Sequence, residues 1–313
     1  MTKCDKIIFM GEIMRDVIKK MIEDAVIFRY ELPNEEIKIQ SSEYSSISDK
    51  CYENQDIEKI SELIYNSIVE YANNEYDINY NELDKEQLRT IITKLRYNED
   101  GTETSKLKYG FYGEVLLYVI LAYFFGTEII IAKGRFYNIL DASEPKGYDC
   151  FHLIQREDKV ELWFGEAKCY QDYDDAINSV IDGLAKAISD NYLNQNFIAL
   201  IREEQNFNIR NSQIEQICNN WKDNPRPNIL EEIVEHDMKL VYPVLIVADN
   251  KAETYDNYIE KCIQHIKKKY EEKQIVFDTR FSYDIFFIFL SVDDVKRVKG
   301  QVIKWISEKE PLK

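Results

Sequence analysis

Apolar positions recur at helical spacing in three stretches of the first hundred residues, around 11–28, 56–72 and 84–97. The spacing predicts a helix over each, and Asp84 followed by Gln87 resembles a capping box for the third. Asn98-Glu99-Asp100-Gly101-Thr102 reads as a break. Beyond it the pattern changes to helix, strands, helix, then strand and helix again. Glu114 leads an uninterrupted apolar run from Val115 to Phe125, of helical length. Glu128 to Ala132 reads as a strand, and Asp174 to Asp190 as a helix capped by Asp174. Val241 to Ala248 and Ile285 to Val292 are apolar runs of strand length, separated by a helix around 254–272. The Asn-rich stretch 191–228 reads as a long, irregular insertion, and no internal repeat is evident. This order predicts an α/β fold, a mixed central sheet flanked by helices. A mostly helical region, 1–100, is expected to precede a second unit, 101–313.

The most informative chemistry lies in two short stretches, Gly147-Tyr148-Asp149-Cys150-Phe151-His152-Leu153-Ile154 and Val160-Glu161-Leu162-Trp163-Phe164-Gly165-Glu166-Ala167-Lys168. As an antiparallel hairpin turning around Arg156-Glu157-Asp158-Lys159, any even-length loop centred between residues 157 and 158 pairs Asp149 with Glu166. Their Cβ atoms would then lie about 5 Å apart on one face. The same register pairs Phe151 with Phe164 and Leu153 with Leu162, and alternation puts Lys168 on the Glu166 face.

Two carboxylates so close in a partly dehydrated site favour proton uptake or a cation between them. Mg²⁺, with Mn²⁺ as a substitute, suits this set, because it takes one or two carboxylates and keeps several waters. The backbone carbonyl of Ala167 could join them. Such an ion activates water against a phosphodiester, and an ammonium can orient that water. Glu-x-Lys alone discriminates nothing, since it occurs five times in the chain. A hairpin ending in solvated acids and a lysine would also show this pattern, and Glu114 separates the two readings. On a helix it shares a face with Leu117, Tyr118 and Leu121, so it points at whatever that face covers.

Helix Glu, then Gly-Tyr-Asp at a strand start, then Trp-Phe-Gly-Glu-Ala-Lys, resembles a PD-(D/E)XK nuclease core. More narrowly, Gly113-Glu114-Val115-Leu116-Leu117, Gly147-Tyr148-Asp149-Cys150-Phe151-His152 and Leu162-Trp163-Phe164-Gly165-Glu166-Ala167-Lys168 resemble HamA, the nuclease subunit of Hachiman anti-phage defence systems. The likeness is strongest over residues 105–190. It implies a restriction-endonuclease-like fold and a metal-dependent deoxyribonuclease working with a helicase subunit. Asp149, Glu166 and Lys168 would form the catalytic set, with Glu114 as its helical addition and a metal ligand. The Pro-Asp of the superfamily name is absent, Tyr148 standing where Pro would be. A rival from another class is a catalytically silent nuclease fold that binds and regulates a helicase, docked through the acidic region 1–100. Cleavage of RNA is a third possibility.

Composition changes this picture in one respect. The 313 residues carry a formal net charge of −17, and residues 1–100 hold 13 Lys or Arg against 22 Asp or Glu, a balance of −9. Proteins that bind nucleic acid alone usually carry basic clusters that displace counterions. The acidity either serves solubility or leaves DNA to be delivered by a basic partner. Lys261, Lys267, Lys268, Lys269, Lys273, Lys296, Arg297, Lys299 and Lys304 are the best candidates for backbone contacts.

The six cysteines lack metal-like spacing, so buried reduced thiols are expected. No uninterrupted apolar run reaches membrane-spanning length and no secretory signal is evident, so a cytoplasmic location without a membrane is expected. His152 should face away from Asp149 as a structural residue. Gln171 is a weak extra candidate near the metal, and Asp174 and Asp175 are read as caps.

Overall fold

The two apolar runs near the C-terminus lie side by side as parallel strands, Lys239–Asp249 and Ser282–Val292, in register from Lys239 opposite Ser282 to Asp249 opposite Val292. Their central residues are apolar because both faces of the sheet are covered, as parallel strands require. Leu240, Tyr242, Val244 and Ile246 enter one core, and Val241, Leu245 and Val247 enter the other.

The computed structural model describes residues 14–33, 37, 47–95, 97–136, 147–155, 159–203, 205–206, 209–223, 229–251 and 254–313. In chain order its elements are α1 (Asp16–Ala25), β1 (Ile27–Leu32), β2 (Asp49–Glu53), α2 (Ile57–Asn66), α3 (Ile68–Ala72), α4 (Leu83–Thr93), α5 (Glu103–Lys106), α6 (Phe111–Phe124), β3 (Glu128–Ile129), β4 (His152–Gln155), β5 (Val160–Trp163) and β6 (Glu166–Cys169). There follow α7 (Tyr173–Ala187), α8 (Asp190–Arg202), α9 (Gln213–Asp223), α10 (Ile229–Glu235), β7 (Lys239–Asp249), α11 (Tyr255–Lys273), β8 (Ser282–Val292) and α12 (Val295–Glu308).

The sheet runs β1-β2-β8-β7-β5-β4-β3, with β6 also on β7. Its centre is parallel and its outer pairs, β1 with β2, β5 with β4 and β4 with β3, are antiparallel. The core on one face is filled by α7 to α11, and that on the other by α1 to α4, α6 and α12. The expected mixed α/β sheet flanked by helices is therefore the observed fold.

β5 and β6 are two pieces of one line along β7. Glu161 lies opposite Lys239 and Glu166 opposite Val244, so the register is unchanged across the gap. The gap falls at Pro243, which has no N–H to give. Gly165 faces it, and a Cβ there would lie 2.4 Å from the Pro243 carbonyl oxygen.

Several expectations are corrected. The described residues of the first hundred are mostly helical, as expected, and also hold two strands, of which β2 pairs with β8. Asp84 accepts from the Leu312 N–H and Gln87 donates to the Tyr65 carbonyl, so they form no capping box. The helix after β6 is capped by Asp172, whose side chain accepts from the Asp174 N–H, rather than by Asp174. The 191–228 stretch contains most of α8 and all of α9. β3 covers only the first two residues of the predicted strand. The expected hairpin turn falls largely outside the described residues.

By length and composition, Glu103–Phe124 is apolar enough to cross a membrane, which the apolar run alone did not suggest. Here Val115 to Leu121 are buried between α1, α2 and the sheet.

Candidate active site

Over His152–Gln155 the hairpin register read from alternation is the register observed, with Leu153 opposite Leu162 and His152 opposite Trp163. Asp149 precedes β4, however, and the expected pairing of Asp149 with Glu166 is not formed, Glu166 lying instead in β6 opposite Val244. Towards its open end the Asp149 N–H donates to the Gly165 carbonyl at 2.8 Å. The Asp149 carboxylate then reaches back across the break, and its Oδ2 accepts from the Ala167 N–H at 2.9 Å. The Pro243-imposed gap thus places the first acid against the strand that carries the second.

Glu166 opens β6, and its two oxygens have separate partners. Oε1 lies 2.5 Å from the Lys168 ammonium, and Oε2 accepts from the Tyr242 hydroxyl at 2.9 Å. Burial, with Glu166 beside it, pushes the Tyr242 phenol well above its ordinary range, so it stays a donor. Burial alone would lower Lys168, but Glu166 and Asp149 outweigh it and hold the ammonium above its usual value.

Glu114 reaches the same region from the other face of the sheet, in the first turn of α6. Gly113 permits this approach, since a Cβ there would lie 3.2 Å from Cys169 Cβ and 3.3 Å from Ala167 Cβ. The Tyr71 hydroxyl, from α3, donates to Glu114 Oε2.

Between Glu114 and Asp149 stands Lys133, which sequence reasoning missed. It follows β3 in a short 3-10 turn and is only 4% exposed. Its Nζ lies 3.0 Å from Asp149 Oδ1 and 3.7 Å from Glu114 Oε2, and donates to the Tyr148 carbonyl at 2.7 Å. Burial opposes its charge, yet the two carboxylates raise it above the usual lysine range. The signal that reveals Glu114, one charge at the end of an apolar run, also marks Lys133 after Ile129-Ile130-Ile131-Ala132.

A cleft of about 700 Å³ opens over this cluster, and Glu114, Asp149, Ala167, Lys168 and Gln171 line it. Lys108 and Lys296 stand exposed on its walls. Lys299, also lining it, donates to the carbonyls of Cys169 and Leu107 and lies over the Tyr112 ring. Glu166 sits behind Lys168, towards Tyr242, rather than among the lining residues.

Other sequence candidates find structural partners. Lys268 and Lys269 pair with Glu272, and Lys273 with Asp182. His265 bridges Asp174 and Asn178. His152 is buried, 2.7 Å from the Thr127 hydroxyl, and burial lowers its pKa to about 3, as a structural residue requires. Cys51, Cys150, Cys169, Cys218 and Cys262 are free thiols, all but Cys169 fully buried.

Among the described residues, no three His, Cys, Asp or Glu side chains are grouped closely enough to encircle a metal ion. A site demanding three or four protein ligands, as structural zinc does, does not fit. A hard ion that takes two carboxylates and keeps its waters does fit the donor chemistry of Asp149 and Glu166 beside an open cleft.

Searches of curated proteins and of solved structures find no match. A family model described as HamA matches residues 19–306, a span that includes every residue of this cluster. The chain therefore belongs to the HamA family and is a component of Hachiman anti-phage defence.

Proposed function

We propose that the chain is the nuclease of its defence system, hydrolysing DNA phosphodiester bonds with Mg²⁺ in the cleft beneath α6. The observation that carries this reading is the seating of Asp149 against the Ala167 N–H, within the electrostatic reach of Lys168, which also pairs with Glu166. Asp149 and Glu166 are the residues that would hold the ion. When bound, it would supply an activated water and offset charge developing on the phosphate.

The chain's own residues supply the rest. The Ala167 N–H and Lys133 fix the two oxygens of Asp149. Tyr242 and Lys168 likewise fix those of Glu166. Lys168 lines the cleft, so its ammonium can orient the attacking water and stabilise the phosphorane-like charge once Glu166 turns to the ion. Lys108 and Lys296 offer contacts to the flanking phosphates, and Gln171 a neutral donor.

The charge of −17 makes unaided duplex binding weak, so we assign DNA delivery to a helicase subunit, with the acidic residues 1–100 as its docking region. The test is digestion of plasmid in Mg²⁺ by the full chain, with and without that helicase. Wild type should cut and Lys168→Ala should not. If neither cuts in any combination, the enzyme reading fails and the silent module stands.

A further inference from the structure

The three acids do not have equivalent surroundings. Glu166 is held by Lys168, which lines the cleft, and by the hydroxyl of the fully buried Tyr242. Asp149 is divided: Oδ2 is bound to the backbone at Ala167, and Oδ1 faces a lysine. Glu114 is different again. Its Oε2 receives the Tyr71 hydroxyl and lies beside the Lys133 ammonium, which is itself 4% exposed and anchored on the Tyr148 carbonyl. A buried ammonium with three oxygen partners cannot leave cheaply, because it would leave two carboxylates only 14% and 16% exposed without their counter-charge.

We infer that Lys133 is a resident counter-cation that withdraws Glu114 from the metal ion's coordination sphere and turns Asp149 towards it. Glu114 is then a positioning residue acting through Lys133, in place of the metal ligand expected from the sequence. The inference rests on the proposed metal site and specifies its division of labour. The ion enters on the Glu166 side of Asp149, and the Lys133 charge occupies the Glu114 side. Like charges repel, so a second divalent ion between Glu114 and Asp149 is opposed by the ammonium already there. The site is therefore a one-ion site.

Mn²⁺ binding to the full chain, read from the loss of the free-ion electron paramagnetic resonance signal, tests this without any cleavage. Wild type should bind one Mn²⁺. Asp149→Asn should weaken binding at least tenfold, whereas Glu114→Gln should stay within threefold of wild type. Lys133→Met should tighten binding at least threefold, since it frees Glu114 for the ion, and adding Glu114→Gln should abolish that gain. Loss of the ammonium's charge alone would also tighten the ion, so the reversal by Glu114→Gln is the readout that assigns the gain to Glu114. Melting curves report whether each variant folds, and if Lys133→Met does not, the neutral double variant and Glu114→Gln decide the matter. Glu114→Gln weakening Mn²⁺ as much as Asp149→Asn, or two ions on wild type, overturns the assignment while leaving the metal site intact. No Mn²⁺ on wild type overturns both.

Discussion

Lys168 is the side chain on which the chemistry and the stability of the site are most separable. It is one-fifth exposed and pairs with a carboxylate of similar exposure, so removing it leaves no sealed, unpaired charge. Lys168→Ala is expected to lower cleavage roughly a hundredfold or more, with the thermal midpoint within a few degrees of wild type. Equal losses of both, in cleavage and calorimetry, would make it structural. Asp149, Glu166 and this lysine were legible in the sequence as charges on a β-prone hairpin, and Glu114 as the one charge leading an uninterrupted apolar run. Tyr71 and Tyr242 were not, since an aromatic residue in an apolar run reads as core until its hydroxyl is seen to meet an acid. Lys133 was missed because its partners lie at positions 114 and 149, brought together only by folding.

At the scale of elements, the break between β5 and β6 presents Asp149 to Ala167, and it rests on Pro243 facing Gly165. Gly165→Ala would force a Cβ to 2.4 Å from the Pro243 oxygen and 2.6 Å from its Cγ. A loss of about 2–3 kcal/mol in denaturant unfolding is expected. An unchanged midpoint would show that the strand passes Pro243 differently.

Where β2 meets β8, the buried Asp49 accepts from the Phe287 N–H at 2.6 Å. Burial raises its pKa to about 7, against the opposing pull of that N–H and of Lys50. Between the unfolded value near 4 and 7, the folded chain holds a proton that the unfolded chain has released. Stability from this group is thus present at low pH and lost as pH rises through 7. Wild type should lose more stability between pH 5 and 8 than Asp49→Asn does, and parallel profiles would refute the assignment.

The same strands show why part of the fold was hidden. β7 and β8 were legible as long apolar runs buried on both faces, and the hairpin register followed from period-two alternation. β1 is exposed along most of its length and β2 is the short, polar Asp-Lys-Cys-Tyr-Glu, so neither carries a strand signal. In α9, Asn and Gln interrupt the apolar stripe and mask a helix whose Ile214, Ile217 and Cys218 are nonetheless buried.

For the whole molecule, the acidic surface and the lysine-flanked cleft pull in opposite directions. The net charge acts over the Debye length and governs encounter, whereas Lys108 and Lys296 act only after contact. Alone, the chain should bind a duplex more weakly than about 10⁻⁵ M at physiological salt. Fluorescence anisotropy showing tight, steeply salt-dependent binding would contradict delivery by a partner. The N-terminal region belongs to this balance and to the site, since Tyr71 reaches Glu114 from α3.

The central claim is that one ion joins Asp149 to Glu166 beside Lys168. Anomalous scattering from crystals soaked in Mn²⁺ addresses it directly. A single peak, within bonding distance of an oxygen from each carboxylate, is the expected result. A peak elsewhere, or none in crystals whose dissolved protein still cuts DNA, would contradict it.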